Sequence, residues 1–237
     1  MKTDQSLINF ADHITTVIEI EELRSVSKAL FESGLSQGWP LSEQPGFATA
    51  GIRLGNLNLE LCTVDRNLNK LHSWLTFEPK NLDTLADQLS ERKIKHDPFD
   101  AVVIHGNPIY TRIGLPELDQ DSTALQLCHL FYPTRLTGPV APENKAGIRQ
   151  VKEIRIGMSD NLRNVWNKLL AKEDINEKVR FKEGPALSIS KAQGLKISGI
   201  SIETENPLRA AEILTKAGMT RIKDQMLRIG SLEILLE

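Results

Sequence analysis

The sequence predicts an α+β fold in which four related strand–helix–strand units pair into two modules, and three observations support this. First, Asp12-His13-Ile14-Thr15-Thr16-Val17-Ile18-Glu19 followed by Leu23 matches Leu71-His72-Ser73-Trp74-Leu75-Thr76-Phe77-Glu78 followed by Leu82, with His, Glu and Leu at identical offsets. Second, each stretch leads to a related pair of strands. These are Ile52-Arg53-Leu54-Gly55 with Leu59-Glu60-Leu61-Cys62, and Thr111-Arg112-Ile113-Gly114 with Leu125-Gln126-Leu127-Cys128. Third, the same order returns in weaker form beyond residue 148.

Each element has its own signal. Ile14 to Ile20 reads as a strand, and Leu23, Val26, Leu30 and Phe31 recur at helical spacing until Gly34 stops them. Gly38-Trp39-Pro40 reads as a loop, and strands are expected at about 47–54 and 57–64. In the second unit Trp74 to Phe77 is a strand and Leu82, Leu85 and Leu89 mark a helix. A loop at His96-Asp97-Pro98, a segment at 101–104 and strands near 109–114 and 124–131 follow. Pro133 to Gly147, with three prolines and two glycines, reads as a linker. Beyond it come a strand over Val151–Met158, a helix through Leu162, Val165, Trp166, Leu169 and Leu170, and strands near 179–182 and 186–190. The fourth unit has a strand over Ile197–Thr204, a helix opened by Pro207 and closed by Gly218, and strands at Met226–Gly230 and Leu232–Leu236. The expected division is therefore 1–134, a linker at 135–148, and 149–237.

Composition excludes several functions. At 237 residues, with 25% charged and 40% hydrophobic residues and a net charge of −2, the chain has no basic excess for nucleic acid and no charge asymmetry for a membrane surface. No apolar run approaches the ~18–20 residues of a membrane span, and the N-terminus lacks a signal-peptide core, so a cytoplasmic location is expected. Two cysteines, Cys62 and Cys128, are too few for a disulfide framework. They occupy equivalent repeat positions and read as small buried residues.

The residues that carry chemistry are those the duplication repeats: His13 with His72, and Glu60 with Gln126. From each His, alternate residues share a strand face, which puts Trp74 and Thr76 on the side of His72. Arg53 and Arg112 are also repeat equivalents. They read either as a clamp for a ligand's carboxylate or phosphate or as exposed ion-pairing residues. His105 and His129 lack repeat partners, and the odd separation turns His129 away from Gln126.

Strand–helix–strands repeated in pairs, with Asp12-His13 opening the first strand and Gly55-Asn56-Leu57-Asn58-Leu59-Glu60-Leu61 closing the first unit, resembles the glyoxalase, bleomycin-resistance and extradiol-dioxygenase family, the vicinal oxygen chelate superfamily. The resemblance implies four βαβββ-type units in two glyoxalase-like modules, each a curved mixed sheet with helices outside. It also implies ligands on the first and last strands of each unit. Carried onto this chain, the implied metal set is His13, Glu60, His72 and Gln126, with Gln126 where a carboxylate is more usual.

Two imidazoles, a carboxylate and an amide oxygen suit Zn, Ni, Fe(II), Co or Mn. An open-site metal polarises a carbonyl, and Glu60 would then take up the proton as base. Arg53, Arg112, Trp74 and Thr76 would line the substrate. The competing reading makes the histidines structural and pairs Glu60 with Arg53 or Arg112 across the barrel. In the C-terminal module Lys152 and Ser198 stand where the histidines would be, which leaves it a structural role, a homodimer surface or a cover for the first module. The leading expectation is a metal-assisted lyase or isomerase for a small oxygenated molecule. A metal-free small-molecule binder, an extradiol-type dioxygenase and a scaffold protein are the alternatives.

Overall fold

A computed structural model describes residues 5–65, 72–104, 107–120, 122–131, 144–172 and 177–237. His105 and most of the expected linker lie outside them.

The first unit is β1 (Ile8–Val17), α1 (Ile20–Glu32), β2 (Gln37–Gln44), β3 (Phe47–Arg53) and β4 (Asn58–Val64). The second is β5 (Ser73–Pro79), α2 (Leu85–Glu91), β6 (Asp100–Ile104), β7 (Asn107–Gln120) and β8 (Thr123–Leu130). Together they form one eight-stranded sheet in the order β2-β3-β4-β1-β5-β8-β7-β6. β1 and β5 run antiparallel at its centre, and each has the last strand of its own unit parallel on its outer side.

The third unit is β9 (Ile148–Met158), α3 (Asp160–Leu170), β10 (Glu177–Val179) and β11 (Ala186–Lys191). The fourth is β12 (Lys196–Thr204), α4 (Pro207–Lys216), β13 (Thr220–Lys223), β14 (Met226–Ile229) and β15 (Leu232–Leu236). Their seven-stranded sheet, β10-β11-β9-β12-β15-β14-β13, repeats the plan, with β9 and β12 antiparallel at the centre. Both sheets are mixed and curved, as the sequence predicts, and the chain is α+β.

Strand alternation separates the two faces of the first sheet. Ile14, Leu59, Leu61, Leu75, Phe77, Leu125 and Leu127 turn toward the helices and join the main core. The residues between them, His13, Thr15, Glu60, Cys62, Trp74, Thr76, Gln126 and Cys128, face the other way. α1 is anchored by Leu23, Val26 and Leu30 and ends at Gly34, whose φ of +88° suits a left-handed stop. α4 starts where Asn206 accepts a hydrogen bond from the Arg209 amide and Pro207 takes the first turn.

The core does not stop at the module boundary. One cluster runs from Leu7 to Leu236, and Phe77 of β5 lies 5.1 Å from the Trp166 ring of α3. The turn after β3 also crosses the boundary, because the Asn56 side chain donates to the Val151 carbonyl and accepts from its amide. Residues 144–148 are packed as well, with Ala146 and Ile148 buried and the Lys145 amide bonded to Ser33. Gly55, at φ +85°, sits so close to β9 that a methyl group would lie 2.5 Å from the Arg149 carbonyl oxygen. Since the neighbour is backbone and the φ is unfavourable to other residues, Gly55→Ala should lose about 2 kcal/mol in urea denaturation.

The first strand starts earlier than expected, at Ile8 rather than Ile14, and two further strands lie outside the sequence expectation. Gly38-Trp39-Pro40 belongs to strand β2, an exposed edge strand with irregular register whose lack of apolar alternation hides it. β13, exposed at all four positions, was likewise invisible to a hydrophobic pattern.

Candidate functional site

The inner face of the first sheet gathers a small, densely bonded group around β1. The register between β1 and β5 slips between Ala11 and His13, which leaves Asp12 as an extra residue without a ladder partner. Such a bulge bends the strand and re-aims the next side chain. The Asp12 carboxylate lies 2.7 Å from His13 Nδ1, and His13 Nε2 faces Glu60 Oε2 at 3.7 Å.

Glu60 is held at both oxygens. The Thr15 hydroxyl donates to Oε2 at 2.5 Å and the Thr49 hydroxyl to Oε1 at 2.5 Å. Trp39 extends the chain, its indole N–H donating to Thr49 Oγ1 at 3.1 Å while its ring meets His13 edge-on with centroids 5.6 Å apart. The glycine opposite Glu60 makes this possible, because any side chain at Gly51 would occupy the space of the Trp39 ring. Asp12, His13, Thr15 and Glu60 are all buried.

Burial opposes a charged imidazole at His13. The hydrogen bond to Asp12 and the charges of Glu60 and Asp12 outweigh it, so the histidine pKa is raised. Burial also pushes both thiols far above their ordinary range, helped at Cys62 by Glu60 and at Cys128 by Asp12, Glu78 and Glu60. The cysteines are free and buried, and as neutral thiols they are poor nucleophiles.

The second half of the sheet carries a variation on the same arrangement. Gln126 donates through its amide to the Thr76 hydroxyl at 2.8 Å, as Glu60 accepts from Thr15. The register sets His13 opposite Thr76 and Thr15 opposite Trp74, so an approximate two-fold axis between β1 and β5 exchanges Thr15 with Thr76 and His13 with Trp74. The structural equivalent of His13 is therefore Trp74, two residues from the His72 that the sequence repeat selects. His72 is exposed ahead of β5, about 13 Å along the strand from Thr76 at ~3.3 Å per residue. Its backbone carbonyl accepts from the Val17 amide.

The other expected residues separate. Trp74 is buried in a small apolar cluster with Cys62 and Ala124 on the inner face, and Thr76 is fully buried. Arg53 is buried, with its Nε donating to the Gly55 carbonyl, and burial lowers its pKa. Arg112 is exposed and ion-paired with Asp100 at 2.6 Å, so the two arginines form no common clamp. His129 pairs with buried Glu78 at 2.7 Å. Sequence reading missed Asp12 as a partner, Thr15, Thr49, Trp39 and Glu78. Only the Asp12-His13 adjacency and the repeated Glu at Glu78 offered a signal. In the C-terminal module Glu233 and Glu237 lie on the face away from Leu232, Ile234 and Leu236, and Glu237 is bonded to Lys152 at 2.7 Å.

These residues do not fit a four-ligand metal centre. Of the expected set, His13 and Glu60 converge, Gln126 lies beyond Thr76, and His72 is remote. Among the described residues no three His, Cys, Asp or Glu side chains are grouped to hold an ion. Both Glu60 oxygens already accept hydroxyl protons, from Thr15 and Thr49.

No protein-family model and no curated protein matches the chain. Solved structures do. A hypothetical protein from Staphylococcus aureus superposes with a TM-score of 0.61 at 9% identity, covering 96% of this chain and 98% of that one. A halotolerant catechol dioxygenase, BphC, gives 0.53 at 10% identity over 97% and 86% of the two chains. A mutant 4-hydroxymandelate synthase from Streptomyces coelicolor gives 0.55 at 11% over 96% and 78%. Paired parallel strands flanking an antiparallel centre, repeated in two sheets, go with this likeness: the chain shares its fold with these solved structures.

Proposed function

We propose that this protein binds a small oxygen-bearing organic molecule on the inner face of its N-terminal module, without a four-ligand metal centre. The observation that supports this reading is the state of the His13–Glu60 pair. Asp12 occupies Nδ1 and two hydroxyls occupy the carboxylate, while Nε2 stands 3.7 Å from Glu60, beyond hydrogen-bond reach. Nε2 is thus the ring nitrogen left to meet a ligand, suited to a carbonyl or carboxylate oxygen when protonated and to a phenol hydroxyl when neutral. Trp39 and the Trp74–Cys62–Ala124 cluster provide aromatic and apolar wall for the rest of the molecule.

Catechol and 4-hydroxymandelate, small oxygenated aromatics, are suitable probes. Titrated calorimetrically, at least one should bind the wild type, and His13→Gln should weaken it at least tenfold. The same preparation, analysed for metals and heated with Fe(II), Mn, Co, Ni or Zn, should show no stoichiometric metal and no stabilisation. A stoichiometric metal that raises Tm in the wild type but not in His13→Gln would overturn the proposal in favour of a metal-assisted lyase, isomerase or dioxygenase.

A further inference from the structure

Among the described residues the C-terminal module contributes no side chain to the group around Glu60, yet two of its turns rest on the strand that carries His13 and Thr15. At the far end of β1, the turn between β14 and β15 is bonded to Thr16. The Thr16 hydroxyl donates to the Ile229 carbonyl at 3.3 Å and accepts from the Ser231 amide at 3.2 Å, and the Ser231 hydroxyl donates to the His72 carbonyl at 3.2 Å. Gly230, at φ +52°, lies so close that a methyl group there would strike the Thr16 hydroxyl and come within 2.8 Å of the Val17 carbonyl oxygen. At the near end, the turn before β11 brings Gly184, at φ +82°, against Phe10 and Ala11. A Cβ on it would stand 3.5 Å from the Phe10 Cβ and 3.6 Å from the Ala11 carbonyl oxygen.

Between these two contacts lie the bulge at Asp12, then His13 and Thr15. A bulged residue has no ladder partner, so the sheet by itself holds this segment less firmly than its neighbours. Alternation links the two faces, since Thr15 points inward to Glu60 while Thr16, on the same short backbone, points outward to the hairpin. We propose that Thr16 and Ser231 are positioning residues, through which the C-terminal module fixes the β1 segment and so the orientation of His13 and Thr15 toward Glu60. The second module then serves as a clamp for the first module's site. The ligand-binding reading enters only in calling that segment a site.

The test needs no ligand. In the full chain at one fixed pH, the His13 Cε1–Hε1 and Trp39 Nε1–H resonances report the group directly. Thr16→Val keeps the shape and removes the hydroxyl, and should move both resonances; Ser231→Ala should move them in the same sense. Thr16→Ser should return them to the wild-type positions. Leu214→Ala, a core truncation in the C-terminal module, should lower Tm while leaving both in place. The clamp is overturned if Thr16→Val and Ser231→Ala lower Tm without moving the resonances, if Leu214→Ala moves them as far, or if Thr16→Ser fails to restore them. Should Thr16→Val not fold, Ser231→Ala against Leu214→Ala decides the question alone. Failure to bind catechol or 4-hydroxymandelate would leave these outcomes untouched, so the two proposals fall separately.

Discussion

Truncating Trp166 to alanine should remove about 4 kcal/mol of stability, as expected for a large aromatic lost from a closed core. The side chain is fully buried on α3, and its ring packs against Phe77 of β5, which in turn meets Phe181 at 6.1 Å. Three aromatic rings from both modules thus share one region of the core. The loss should therefore appear as a single urea transition moved to lower concentration, followed by circular dichroism. Two separated transitions would show that the modules unfold independently. A second variant refines the argument. The Trp166 indole N–H is buried with no hydrogen-bond partner among the described residues, so its removal forfeits no bond. Trp166→Phe should consequently cost much less than the alanine variant.

Replacing Glu60 by alanine should cost about 3 kcal/mol near pH 6, because it leaves a buried imidazolium and two hydroxyls without the group they surround. The pH dependence follows from His13. Its pKa in the fold is raised above the unfolded value of 6.5, with Asp12 and Glu60 supplying the favourable charge against the cost of burial. The stability it contributes is fully present below pH 6.5 and disappears as pH rises through the raised folded value. His13→Gln should thus be most destabilising near pH 6, and the difference from wild type should shrink steadily toward pH 9. Urea midpoints at four pH values measure this directly. A difference independent of pH would mean that His13 is neutral in the folded protein and that its interaction with Glu60 is not ionic.

The sequence revealed the architecture more faithfully than the site. Helices α1, α3 and α4 carry apolar stripes closed by Gly34 or opened by Pro207, and strands such as β4 and β15 alternate cleanly, so their positions follow from periodicity. β2 and β13 escaped because an exposed edge strand buries too little to leave a pattern. The repeat showed the duplication but set it two residues out of register. Counting back from Leu23 and Leu82 assumes equal spacing from helix to strand in both units. α1, however, follows β1 closely, from Val17 to Ile20, whereas α2 begins only at Leu85 after β5 has ended at Pro79, so the connection in the second unit is longer. Glu60 and Gln126 survived the error, since the last strands are regular. His72 did not. Thr15 and Thr49 were beyond reach of any motif, because a hydroxyl that completes a carboxylate's bonding is visible only once two strands are side by side.

The approximate two-fold axis between β1 and β5 has a consequence for any molecule lying across it. A strictly duplicated site would offer the same surroundings at both ends, and an unsymmetrical molecule could enter in either direction with equal ease. Here one end presents an imidazole and a carboxylate, the other an indole and an amide. That difference, a few side chains on an otherwise matched scaffold, would give such a molecule a head and a tail.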